Sequence, residues 1–563
     1  MTESTGITAL ISMAELDSAV AELQAGSNRL QTLALREKRE LIDACADRVM
    51  ANAKPWVAAA CQAKQIADDQ AVAAEEILSG PTTLMRYLRL LSGILRDVEK
   101  SGQPQLPGPV RKNTLGQSCV PVFPVRSLFD PLTFQGISAE IWQQPNTDPE
   151  HRFEPFSPQQ DSDTGKVAGV LGAGNVSVIP ATDMLHKIFH DQESVLLKFN
   201  PVNEYLEPFL TNIFQPLIDA NLLRFMLGHW EAGEAIVHHP GIHSIHITGS
   251  HITHNMIVWG DANDKHKLRR EQNKPLLTKP ITSELGNVSP WIVVPGRYTT
   301  KQLRAQAEHV AASITNNASY NCLATKIIIT SKNWPQRDDF LGMIEGFLRQ
   351  VPERVAYYPG AQHRFERATG NAAPQNENGT LPWTLIRDTC PEKQPHLFEE
   401  ESFVCVCAET ALDCDTDLEF LKSAVKFANE RLFGTLCAVL TVTNDFQKKH
   451  KPALEQAISQ LQYNSVCINQ WSALAYALMT PPWGGYHTST IEDPQSGIGH
   501  VHNIFNIANV EKSVLRGPLI DFPKPAWFPS HRSAHKIAWA LLRLYEKPTI
   551  SRLPALFFHA LRK

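Results

Sequence analysis

Three residues have the types that covalent catalysis uses. Asn175 lies in "GVLGAGNVSVIP" (169–180), Glu284 in "KPITSELGNVSPWIVV" (279–294) and Cys322 in "NNASYNCLATKIIIT" (316–330). A thiolate that attacks a carbonyl carbon forms a tetrahedral adduct, whose oxyanion needs hydrogen-bond donors. A carboxamide and a backbone N–H supply such donors, and this electrostatic help is often the largest catalytic term. A carboxylate can then activate the water that hydrolyses a thioester, best if burial lifts its pKa toward neutrality. Each residue also has a plain reading. A lone cysteine in an apolar run is ordinarily core, the reading taken for Cys405, Cys407 and Cys437, and Glu284 alone could cap a strand end. Order along the chain carries the weight.

Such residues need a scaffold. The chain has 563 residues, 43% of them hydrophobic and 20% charged, with a formal net charge of −5. That length allows more than one domain and a large core without staples. The charge gives no reason to expect nucleic acid. The ten cysteines contain no C-x-x-C pair, so reduced thiols are expected rather than a zinc site or disulfides. The N-terminal stretch is acidic where an export signal would be basic. No apolar run reaches the roughly 18 residues of a membrane helix. A cytoplasmic protein is expected.

Residues 13–75 read as helical, with Leu41, Ile42, Cys45, Val49 and Met50 on one apolar face. From residue 165, β-branched runs ("KVAGVLG", "SVLLKFN", "IHSIHITG", "PWIVVPG", "TKIIIT", "SFVCVCAE", "TLCAVLTV") alternate with amphipathic stretches. This pattern predicts α/β layers with mainly parallel sheets. The loop Gly172-Ala173-Gly174-Asn175-Val176-Ser177 nearly spells a dinucleotide fingerprint, yet Ser177 stands where a third small residue belongs. The next strand run ends in Lys198, not in the acid that binds ribose hydroxyls. Alone, the loop is a weak match. Six histidines between His238 and His254 (His238, His239, His243, His246, His251, His254) straddle a turn and an alternating strand, so no metal site is expected.

Farther along, the chain resembles the aldehyde dehydrogenase superfamily. "GHWEAGEAIVHHPGIHSIHITGS" (228–250) is similar to the family's G-x-x-x-x-G, helix, H-P and strand ending in T-G-S. "SELGNVSP" resembles E-L-G-G-x-x-P, with Asn287 replacing the second glycine, and Cys322 follows Glu284 by 38 residues. "FEEESFVCVCAE" resembles E-E-I-F-G-P-V in part, with Val404-Cys405 in place of Gly-Pro. "LFGTLCAVLT" and "VCINQWSALAYALMTPPWGGYHTS" continue the likeness, which covers roughly residues 30–500.

The resemblance implies Cys322 as nucleophile, Glu284 as general base and Asn175 as oxyanion donor. It implies cofactor contacts from Lys198, Gly228, Gly233, Thr248, Gly249, Ser250, Glu401 and Phe403. A Gly-Ser pair opening a helix presents backbone N–H groups to a phosphate, so Gly249-Ser250 is the expected phosphate site. The cofactor is NAD or NADP, because Pro201 stands where many members carry the glutamate that favours NAD, and the nearest acid is Glu204. The implied reaction is NAD(P)-dependent oxidation of an aldehyde to a carboxylic acid through a cysteine thiohemiacetal and thioester. Two alternatives are a coenzyme A-linked acyl reductase or acylating enzyme, which Glu284 argues against, and a non-catalytic structural or binding relative.

The implied architecture has a Rossmann-type cofactor domain (1–282), an α/β catalytic domain (283–465) and a return to the cofactor domain (466–515). A bridging arm takes parts of 115–165 and 466–515. Members are commonly dimers or tetramers, so a homo-oligomer is expected. Trp483 and Tyr486 suggest an aromatic mouth. Beyond the likeness lies a helical tail, 516–563, in which Ile537, Ala538, Leu541, Leu542 and Tyr545 share one face, as do Leu556, Phe557, Ala560 and Leu561 after Pro554. It carries basic residues suited to an anionic membrane surface, although docking on the protein's own body or a sister subunit is favoured.

Overall fold

A computed structural model describes residues 12–156 and 164–561. Most of the acidic N-terminal stretch, the end of the first bridging segment, and Arg562 and Lys563 of the tail lie outside the described residues.

The fold is mixed α/β, with two large sheets and two small two-stranded ones among the described residues. The smaller of the two large sheets has five parallel strands in the order Leu223–Met226, Glu193–Lys198, Lys166–Leu171, Ser244–Thr248, Ile281–Glu284. Helices on its faces bury most strand residues, which explains why runs such as "SVLLK" are continuously apolar rather than alternating. Helix Ile179–Phe189 is buried along its whole length. Leu171 pairs with Lys198, and Thr248 with Glu284. The carboxyl ends of four strands therefore deliver the glycine loop, Lys198, the Thr248-Gly249-Ser250 turn and Glu284 to one edge, where ligands of such sheets bind.

Between Glu284 and Ser289 the chain passes to the ten-stranded sheet. There Ser289–Val293 lies between Thr325–Ser331 and Cys437–Thr441. Val406–Leu412 and Thr384–Ile386 extend one side in parallel. Ser465–Ile468 and Val510–Arg516 extend the other. Three antiparallel strands, Ser138–Gln143, Ser118–Phe123 and Arg111–Lys112, complete it.

Local departures from the sequence reading have physical causes. The helical stretch splits into Met13–Thr32 and Leu35–Ala63, because Leu33 and Ala34 turn extended. The strand foreseen in "SFVCVCAE" starts only at Val406, after Phe403 at φ +41°. Strand Val510–Arg516 is absent from the sequence reading because "VEKSVLR" looks polar. Lys512 is nevertheless fully buried, its ammonium donating to the carbonyls of Ile458, Ser459 and Leu461.

The tail forms helices Ala534–Glu546 and Leu553–Ala560. Ala534 and Ala538 pack with Val57, Cys61, Ala74 and Ile77 of the same chain. Arg86, buried beneath, grips Asp130 with two hydrogen bonds of 2.7 and 2.8 Å and reaches Tyr545 Oη at 3.0 Å. The apolar face of the first tail helix thus packs on the body, while Ile550, Phe558 and Leu561 stay exposed. No helix among the described residues is long and apolar enough to cross a membrane.

Candidate active site

Two cavities meet at Asn175 and Cys322. One, of about 890 Å³, runs along the carboxyl edge of the five-stranded sheet. The other, of about 560 Å³, has mainly apolar walls drawn from other segments. Glu284 lines the first, so the three residues singled out by type face one cleft.

Cys322 sits between a short helical turn, Asn316–Ser319, and strand Thr325–Ser331. Asn317, Ala318 and Ser319 hold φ values of +52°, +52° and +69°. Three successive non-glycine residues in the left-handed region are costly, and such strain persists where surrounding structure enforces it. Ser289 Oγ donates to the Cys322 carbonyl at 3.0 Å, fixing the loop to the neighbouring strand. Burial, followed by the charges of Glu284 and Glu401, pushes the Cys322 thiol well above its ordinary pKa. The resting thiol is protonated. Burial likewise lifts Glu284 to about 8, with an opposing interaction from Cys322. A carboxyl poised near neutrality beside a thiol suits proton transfer in either direction.

Asn175 Nδ2 donates to the Tyr320 carbonyl at 3.0 Å, which leaves its second amide hydrogen for the cleft. Its own carbonyl accepts from Lys64 Nζ (3.2 Å), Asn317 Nδ2 (2.8 Å) and Tyr357 Oη (3.2 Å). Lys64 in turn pairs with buried Glu76 at 2.7 Å. This support is invisible in the sequence, since its members lie 111 to 182 positions from Asn175.

Lys198, Gly233, Thr248, Gly249, Ser250, Glu401 and Phe403 line the larger cavity. Burial lowers the Lys198 pKa, and its ammonium donates to the Phe199 carbonyl at 3.1 Å. Burial raises Glu401 to about 7 against the pull of Lys326, and its Oε1 has no hydrogen-bond partner. Gly228 is the exception, and two of the lining residues have their polar atoms engaged elsewhere. Gly228 stands at the turn before helix Trp230–His238, with φ +125° and its N–H donating to Glu204, rather than on the cavity wall. Glu204 is thereby turned to that N–H. The Gly249 N–H donates to the Glu284 carbonyl at 3.0 Å, so a phosphate would meet the N–H groups opening helix His251–Trp259 instead. Thr248 Oγ1 donates inward to Asp183 at 2.7 Å.

The glycine loop owes its composition to close packing. A Cβ on Gly174 would come within 2.6 Å of the Asn200 side chain. Asn287, the departure from the family pattern, is fully buried and donates to Ser289 Oγ and the Cys437 carbonyl. It fits because Gly434, at φ +94°, has no Cβ to strike it.

The six histidines do not gather. His239 pairs with Asp17 and His246 with Thr282, while His254 is buried without a partner on either nitrogen. Among the described residues, the set with ligand atoms close together is His186, His190 and Asp191. Lys187 already holds Asp191 at 2.7 Å. Of the two suggested aromatics, Trp483 lines the smaller cavity, whereas Tyr486 turns to Glu511.

Residues 193–351 match the aldehyde dehydrogenase family. Over that segment the chain is similar to the aldehyde dehydrogenase superfamily. Aldehyde dehydrogenase LUC3 of Fusarium sp is 25% identical over a 324-residue alignment that covers 54% of this chain and 59% of that relative, less than two thirds of its length. An NAD-dependent aldehyde dehydrogenase of Sinorhizobium meliloti has a similar structure, with TM-score 0.59, 15% identity, and 91% of this chain and 88% of that one covered. Glyceraldehyde-3-phosphate dehydrogenase of Methanocaldococcus jannaschii, solved with NADP, gives TM-score 0.58 and 14% identity, with 90% and 95% covered. At such identities the structural likeness is one of fold.

Proposed function

We propose that this chain oxidises an aldehyde to a carboxylic acid with NAD or NADP, through a covalent intermediate on Cys322. The observation that carries the reading is the meeting of the two cavities at Asn175 and Cys322, with Glu284 beside them. A substrate can approach the thiol through one cavity and a nicotinamide through the other. The cleft fits such a cofactor: Lys198 offers a cation for ribose hydroxyls, and Glu401, buried with an unpartnered oxygen, offers an acceptor. When bound, the cofactor accepts the hydride.

Cys322 Sγ attacks the aldehyde carbon while its proton passes to Glu284 or to water. Asn175 Nδ2 and the Cys322 N–H hold the oxyanion. Loss of hydride restores the C=O bond and leaves a thioester on Sγ. Once any proton taken from the thiol has passed to solvent, Glu284 takes a proton from water, the hydroxide adds to the thioester, and the acid departs as the C–S bond breaks. Glu284 thus favours hydrolysis over transfer to coenzyme A. In this reading residues 1–282 and 283–465 act as cofactor and catalytic domains, and the protein is a cytoplasmic homo-oligomer. The test mixes purified protein with NAD or NADP and a panel of aldehydes, with and without coenzyme A. Reduced cofactor formed without coenzyme A supports hydrolytic oxidation. Turnover that strictly requires coenzyme A contradicts it.

A further inference from the structure

The smaller cavity has a wall that comes from outside the region of family resemblance. Ala526, Trp527, Phe528, Pro529, His531 and Ala534 all line it, together with Cys322 and Asn175. This segment is firmly built. Phe528 is buried, its ring edge-on to that of His309 at 4.6 Å. His309 Nε2 bonds Asp521 at 2.7 Å, and Asp521 also accepts from Gln470 at 2.9 Å. Lys524 pairs with Glu308 at 3.0 Å. Prolines 523, 525 and 529 limit the backbone between these anchors. The docked helix Ala534–Glu546 holds the far end through Tyr545 and Arg86.

Facing this wall are Ile66, Val72, Leu78 and Leu474. A volume near 560 Å³ is that of a pocket for an extended ligand, not for a two- or three-carbon one. Few charges line it, and of Arg354 only Nη1 is paired, Nε and Nη2 having no partner. Glu75 and Arg354 pair at 3.2 Å, and Glu353 accepts from Thr380 Oγ1. We infer that residues 526–534 form the outer wall of the aldehyde pocket and commit it to aldehydes bearing an extended apolar chain. This rests on Cys322 being the reactive thiol.

The full-length protein tests this with n-alkanals from propanal to decanal, and with the matching n-alkanols as dead-end ligands followed by calorimetry. In the parent protein, kcat/KM and alkanol affinity should rise about two- to fourfold per methylene until the cavity is filled. Trp527→Ser shrinks the wall and makes it polar. It should lower the decanal-to-propanal ratio of kcat/KM at least tenfold, and Trp527→Phe should restore most of it. A melting curve checks that each variant is folded. A flat chain-length profile in the parent overturns the inference without any variant, as does an unchanged ratio in folded Trp527→Ser. If no alkanal is oxidised but alkanol affinity rises with length and falls in Trp527→Ser, the pocket stands and the proposed reaction fails.

Discussion

The two cavities differ in how they are made. The larger lies along one sheet edge, and much of its lining sits at the ends of consecutive strands: the 172–175 loop, Lys198, 248–250 and Glu284. The smaller is assembled from segments near residues 65–83, 175–179, 315–323, 351–354, 471–483 and 526–534, with no sheet edge in common. The first is a property of the fold, so its residues keep their order and spacing. The second is a property of packing, and a chain can change it by adding a tail. Chemistry sits where the two meet, and substrate choice belongs to the second.

Removing the meeting point should have the largest effect. Cys322→Ala should abolish aldehyde oxidation, by at least about ten-thousandfold in kcat, while a fluorescence titration still shows cofactor binding. Activity near the parent's would remove the nucleophile assignment. Asn175 belongs to both cavities, and Asn175→Ala should lower kcat about a hundred- to a thousandfold. A change confined to KM would place Asn175 in binding rather than oxyanion stabilisation. The buried carboxyl sets a gentler dependence. Glu284 is protonated below about pH 8 and must be ionised to activate water, so kcat should climb tenfold per unit below about 8 and level off above it. A profile flat from pH 6 to 9 in a hydrolysis-limited assay would contradict that role. The smallest effect concerns the tail. Tyr545→Phe loses the hydroxyl that faces Arg86 and should cost about 1–2 kcal/mol by denaturant unfolding. An unchanged midpoint would mean that the tail is held by its apolar face alone.

The difference between the cavities also explains what could be read in the sequence. Strands such as Lys166–Leu171 and Thr325–Ser331 declare themselves locally, through apolar runs bounded by turn residues. Cys322 and Glu284 stand beside such runs, and their order within family-like motifs is what marks them. Gly228 was placed by motif order alone, and its turn sends it away from the cavity. Lys64 and Tyr357, which hold the Asn175 carbonyl, carry no local signal because they come from distant parts of the chain. The tail shows the same limit. The periodicity of Ile537, Ala538, Leu542 and Tyr545 foretold a helix with one apolar face, but only packing shows that this face meets the body and that Trp527 walls a cavity.

The central claim is an acyl group carried on Cys322 and released by Glu284. Its most direct test is mass spectrometry of Glu284→Gln after incubation with NAD or NADP and an aldehyde that the parent oxidises. An amide cannot take the proton from water, so the thioester should persist. The peptide containing Cys322 should gain the mass of the acyl group only when the oxidised cofactor is present, and hydroxylamine should remove it. An unmodified Cys322 while the variant turns over at the parent rate would contradict the account.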